Sequence, residues 1–155
     1  MKTKSAVKRI FVMLMAMTLL LGSTMTVFAA SNSVTKKASG KMTIILDPNE
    51  TGNSTSVTIT ISGLPEDAII TKMTINTGTM TYNGAVLCNY MIVSSSNGRT
   101  ERIPWTGKAN ETLTTSAFLA SPANGTYTLS FNATNVSSLN LGTKTYQPSI
   151  TIYYD

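Results

Sequence analysis

From residue 41 onward, apolar and polar side chains alternate in short runs of period two, the spacing of a β-strand buried on one face. The clearest run is Thr55-Ser-Val-Thr-Ile-Thr-Ile-Ser62, which sets Val57, Ile59 and Ile61 on one face and Thr58 and Thr60 on the other. Gly63-Leu-Pro-Glu-Asp67 then signals a turn. In the next strand the same phase puts Ile69, Thr71, Met73 and Ile75 on one face, with Ile70, Lys72 and Thr74 opposite. Residues 86–93 are more continuously apolar and read as a central strand. After Ser94-Ser-Ser-Asn-Gly98 comes a short polar strand at 99–103, a corner at Pro104-Trp-Thr-Gly107, and a strand or approach loop at 113–118. Ala123-Asn-Gly125 turns into a strand at 126–132 that aligns Tyr127, Leu129 and Phe131. A last strand at 149–154 points Ile150 and Ile152 inward, with Pro148 at its first position or at an edge. With 41–47 near the start, this makes seven or eight strands. Turn signals separate them and no helical period intervenes, so the expected fold is all-β: an antiparallel β-sandwich or jelly roll.

The first forty residues follow other rules. A basic stretch, Lys2 to Arg9, precedes twelve mostly apolar residues at 10–21, polar Gly22-Ser-Thr24, and the small-residue site Val27-Phe-Ala29. Twelve is short of the ~20 apolar residues that span a bilayer, and the run has no polar face to suit a surface helix. This is the pattern of a secretory signal peptide at 1–29, cleaved after Ala29 or Ala30. Residues 30–40 lack periodicity and read as a flexible lead-in, leaving 41–155 as one sandwich domain.

That division changes how charge is read. The whole chain carries 12 Lys and Arg against 7 Asp and Glu, but Lys2, Lys4, Lys8 and Arg9 belong to the leader. The remainder is close to neutral and has no basic stripe for phosphates, which argues against nucleic-acid partners. Export makes the expected location extracellular, or loosely associated with the cell surface, with no membrane contact once the leader is removed. Cys88, the single cysteine, stands within an apolar run and reads as a small buried hydrophobe.

The chemistry available is narrow. The chain has no His, which removes Ser/His/Asp and Cys/His nucleophile systems and the imidazole base. Two carboxyls suffice for glycoside hydrolysis, but Asp47 and Glu50, and Glu66 and Asp67, read as turn residues, and the other acids stand alone. No enzyme, cofactor or metal is expected. An isopeptide cross-link would need a buried Lys; Lys72 has apolar flanks but reads as a surface lysine. The binding candidates are Trp105, the only Trp, with Arg102 and Asn110 close in sequence. An exposed ring beside amide and charged groups suits a glycan, whereas a buried ring would cap one end of the core.

The order of motifs resembles the P domain that follows the catalytic domain in subtilisin-like proprotein convertases. Ser116-Ala-Phe118 followed by Ala123-Asn-Gly-Thr-Tyr-Thr-Leu129 is similar to that family's Phe and Gly-Thr-Trp-Thr-Leu, with Tyr127 in place of Trp. Val57-Thr-Ile-Thr-Ile-Ser-Gly63, Ile70-Thr-Lys-Met-Thr-Ile75 and Thr81-Tyr-Asn-Gly84 resemble its opening strands and its Tyr-x-Gly-Asp-Leu turn. The resemblance implies a galactose-binding-like jelly roll in an auxiliary, non-catalytic role. Ala85, Asn132 and Ser137 or Ser138 stand where the family has acids, so the calcium site some members carry is not implied. The expected function is a monomeric, secreted binding module for a glycan, a cell-wall polymer or a protein. The alternative is a structural subunit of a surface assembly that pairs through strand edges.

Overall fold

The computed structural model describes residues 32–155; the signal peptide expected at 1–29 lies outside the described residues. Twelve strands, all paired antiparallel, and no helix make up the described residues. In chain order they are β1 (Asn32–Lys37), β2 (Met42–Leu46), β3 (Thr51–Asn53), β4 (Val57–Ile61), β5 (Ile70–Asn76) and β6 (Met80–Asn83). There follow β7 (Val86–Ser95), β8 (Thr100–Pro104), β9 (Thr112–Thr115), β10 (Gly125–Asn135), β11 (Gly142–Tyr146) and β12 (Ser149–Tyr154).

Three hydrogen-bonded sheets run in the orders β1-β12-β5-β9, β2-β11-β6 and β3-β10-β7-β8, with β4 also on β10. The first two continue into one another. β1 leads into β2, β5 into β6 and β11 into β12, and all three strands are interrupted at one level, at residues 38–41, 77–79 and 147–148. Across that break the amide of Ala38 donates to the carbonyl of Pro148 at 2.9 Å, and the Gln147 side-chain amide donates to the carbonyl of Ala38 at 3.0 Å. β3 and β4 likewise lie along the same side of β10, parted at Ser54. Counted through these breaks the described residues form eight strands in two layers, a β-sandwich; the alternation read seven or eight because it found one segment of each interrupted strand and left β1, β3, β6 and β11 unread.

The core lies between the layers and forms one cluster. Val57, Ile59, Ile61, Met73, Ile75, Tyr127, Leu129, Phe131, Ile150 and Ile152 are all buried, as their alternation required. On the outer faces threonines meet across strands: Thr35 with Thr151 at 2.8 Å, Thr43 with Thr145 at 3.1 Å, Thr51 with Thr134 at 2.8 Å. Such cross-strand hydroxyl pairs account for a Thr-rich, charge-poor surface that still specifies its pairing.

Two expectations are corrected. Residues 32–37 are not a loose lead-in: β1 pairs along its whole length with β12, from Asn32 opposite Tyr154 to Lys37 opposite Ser149. The backbone makes these bonds irrespective of side-chain periodicity, and half-buried Val34 anchors the strand on the core. Nor does one phase hold through β5. Ile70 is buried and Ile69 is 47% exposed, because the register against β12 slips by one residue at Thr71, with Tyr153 opposite Lys72 and Tyr154 opposite Ile70. A bulge of this kind inserts one unpaired residue and sends every side chain beyond it to the other face. β7 does the same at Asn89: Tyr90 faces Asn132 and Cys88 faces Ala133, so Val86 and Cys88 point inward before the bulge and Met91 and Val93 after it.

Candidate functional site

Trp105, Arg102 and Asn110 are not brought together as a glycan platform. Trp105 is 3% exposed and stacks edge-on against Tyr146 and Phe131, with ring centroids 4.6 and 5.9 Å away. The corner that carries it turns the indole into the sandwich, because burying so large an apolar ring outweighs leaving it wet. Its Nε1 is buried without a hydrogen-bond partner among the described residues. Arg102 stays at the surface with its guanidinium over the ring of Tyr90, 5.2 Å from the centroid. Asn110 is an exposed turn residue at φ 55°, its amide donating to the carbonyl of Gly78 at 2.8 Å. Lys72 is exposed too, over the ring of Tyr153 at 5.1 Å.

The surface draws attention to the end of the sandwich where the β2–β3, β6–β7 and β10–β11 connections meet. Asn135 ties the first and the last of these: its side-chain amide reaches the carbonyls of Leu46, Asp47 and Asn140 at 3.2, 3.1 and 2.8 Å, and its carbonyl oxygen accepts from the amide of Ser137 at 3.1 Å. The amide of Val136 adds a bond to the carbonyl of Ala85, and that of Asn49 one to the carbonyl of Ser137. Val136, Leu139 and Leu141 stand on the β10–β11 connection and Tyr82 and Leu87 on the strands flanking the β6–β7 connection; with Ile45 on β2 they are six of the eight exposed large apolar side chains among the described residues, Leu139 being 85% exposed. Ile69 and Leu119 are the other two. An open groove of about 290 Å³ runs alongside, lined by Met80, Tyr82, Gly84, Ala85, Val86, Leu87 and Lys144. Exposed apolar side chains concentrated in this way make this end the candidate contact surface.

The inner wall of that groove carries a residue that the sequence pattern did not single out. Lys144 is 8% exposed, because the register of β11, with Gly142 opposite Leu46 and Tyr146 opposite Met42, points Gly142, Lys144 and Tyr146 into the sandwich. Its Nζ donates to the carbonyl of Val86 at 2.7 Å and lies 4.0 Å from Cys88 Sγ. The hydroxyl of Tyr146 donates to the carbonyl of Gly107 at 2.5 Å and sits 3.7 Å from the same sulfur. Burial pushes the Cys88 thiol above its ordinary pKa, although the hydrogen bond with Tyr146 and the charge of Lys144 pull it back down. Burial likewise drives the Tyr146 phenol upward, helped by its contact with Cys88. The inward phase of Gly-Thr-Lys-Thr-Tyr146 was the available signal for Lys144.

Metal binding would need clustered donors, and among the described residues no three His, Cys, Asp or Glu side chains come together to hold an ion. Glu50 instead accepts from the backbone amide of Asp47 at 2.7 Å, closing its own turn. The melting temperature is therefore expected to stay the same in millimolar calcium and in excess chelator. A ligand held only by the native state would raise it by mass action, so a rise of many degrees would refute this.

No family model matches the chain, and no curated protein matches it. Among solved structures, one described as the crystal structure of FLHE is 14% identical, covers 80% of this chain and 98% of that chain, and superposes with a TM-score of 0.45.

Proposed function

We propose that this is a secreted, non-catalytic binding module that contacts a partner protein through the apolar end formed by the β2–β3, β6–β7 and β10–β11 connections. The observation that carries the reading is the concentration of exposed apolar side chains there, with Val136, Leu139 and Leu141 on the β10–β11 connection that buried Asn135 holds in place. A rigid frame lowers the ordering cost of binding, and apolar side chains already in position supply the contact area. A glycan is the less favoured ligand, since the one indole is in the core. The P-domain resemblance rests on the order of its motifs and agrees with an auxiliary role.

Strand-edge assembly is the weaker alternative. Two of the outer strands carry obstacles, Lys36 and Lys37 on β1 and Glu101, Arg102 and Pro104 on β8, whereas the edges at β2, β3, β4, β6 and β9 carry neither charge nor proline. Charges and proline on an edge discourage a further strand from adding. The test places a photoreactive side chain at Leu139 in cells that secrete the protein, with a sizing column run over a wide concentration range. One discrete heterologous adduct and a constant monomer are expected. No adduct at Leu139, or a ladder of oligomers that grows with concentration, would count against the module and, in the second case, for edge pairing.

A further inference from the structure

We propose that Lys144 and Cys88 form a covalent modification site, in which peroxide oxidation joins Nζ to Sγ through a bridging oxygen and so staples the two layers of the sandwich together. Lys144 belongs to β11 and Cys88 to β7, strands of opposite sheets. Their reactive atoms stand 4.0 Å apart inside the core, so the link needs only side-chain movement. A bridge that includes an oxygen spans more of that gap than a direct sulfur–nitrogen bond, which would have to draw the layers closer.

The surroundings favour this pair over an ordinary buried ion pair. Among the described residues the polar contacts of Nζ are the carbonyl of Val86 and the Cys88 sulfur, with no carboxylate beside it. An amine buried with so little compensation is costly, and neutralising it in a covalent bond relieves the cost. Gly107 leaves the flank of both atoms bare: a Cβ there would stand 2.9 Å from Sγ and 3.1 Å from Nζ, and its φ of +83° disfavours any side chain. The contact with the Tyr146 hydroxyl holds the thiol in place at 3.7 Å. Lys144 also lines the open groove, which gives a small oxidant a way in.

The chemistry balances with two molecules of peroxide. The first delivers oxygen to sulfur as its O–O bond breaks, converting the thiol to a sulfenic acid and releasing one water. The second removes two more electrons as the sulfenic oxygen bonds to the amine, once the ammonium has given its extra proton to solvent through the groove. The sulfenic proton and one amine proton leave with its two oxygens as two waters. Overall, thiol, amine and two peroxides give S–O–N–H and three waters. Because the thiol is buried and mostly protonated, the reaction is slow compared with that of an exposed thiolate.

The experiment treats the purified protein with excess hydrogen peroxide, digests it without reductant, and maps the peptides by mass spectrometry. The expected product is a cross-linked pair containing Cys88 and Lys144. It weighs one oxygen more and two hydrogens less than the two peptides together, resists trypsin at Lys144, and is released by a thiol reductant. Its formation should raise the melting temperature of the native protein, and Lys144→Arg should abolish the link while Cys88 oxidises further to the sulfinic acid. Cys88 oxidised while the Lys144 peptide stays unmodified would overturn the proposal, as would a direct sulfur–nitrogen link, which lacks the extra oxygen. Should the arginine variant fail to fold, the wild-type map and a Cys88→Ser control decide the matter alone.

Discussion

Gly78→Ala is expected to be among the most damaging single substitutions in this protein. Gly78 lies at the break between β5 and β6 with a φ of +72°, and a Cβ built there would stand 1.9 Å from the carbonyl oxygen of Gln147 and 2.8 Å from its carbonyl carbon. The left-handed backbone alone costs an L-residue roughly 1–2 kcal/mol. The clash adds more, since both partners are backbone and neither can rotate away. Relief requires the chain at Gln147 and Pro148 to move, and the same segment holds the Ala38 amide at 2.9 Å. Three strands kink at this level, so displacement of one loosens the other two. The total should reach about 4 kcal/mol or more, in the range reserved for severe core and backbone defects. Urea unfolding monitored by Trp105 fluorescence gives the value. A loss below ~1 kcal/mol would mean that the three strands do not share this close crossing.

Phe131→Ala should come next. Phe131 is fully buried on β10 and sits edge-on to both Trp105 and Tyr146, at 5.9 and 5.3 Å between centroids. Removing the ring strips two aromatic contacts and leaves a void between layers whose framework of ladder bonds cannot collapse to fill it. Roughly 3–5 kcal/mol is expected for such a truncation. Thr128 is the matched control: it belongs to the same strand on the opposite face, between Thr58 and Ser94, and its replacement by alanine should change stability by about 0.5 kcal/mol or less. Comparable losses at both positions would show that β10 does not have the inward and outward faces described above.

Both predictions depend on features that differ in how far the amino-acid order reveals them. The inward set on β4, β10 and β12 was readable from alternation alone, because the side chains of an unbroken strand change face at every residue. The all-β class followed from the same pattern. β3, β6 and β11 went unread as strands: β3 and β6 are only three and four residues long, and β11 offers only Tyr146 as a large apolar inward residue. β1 went unread because the backbone of β12 recruits it.

By itself, then, the order of residues determined an antiparallel sandwich, the ten residues named at its core, and the poverty of catalytic groups in a chain without His. Only the tertiary structure decided which face each residue takes beyond the bulges at Thr71 and Asn89, since a one-residue slip leaves composition and spacing unchanged while inverting every later side chain. It alone turned Trp105 into the core and drew Lys144 in beside Cys88 across 56 residues of chain. It gathered Leu87, Val136, Leu139 and Leu141 at one end. Each of these depends on non-local pairing between strands far apart in the chain, which no window of neighbouring residues contains.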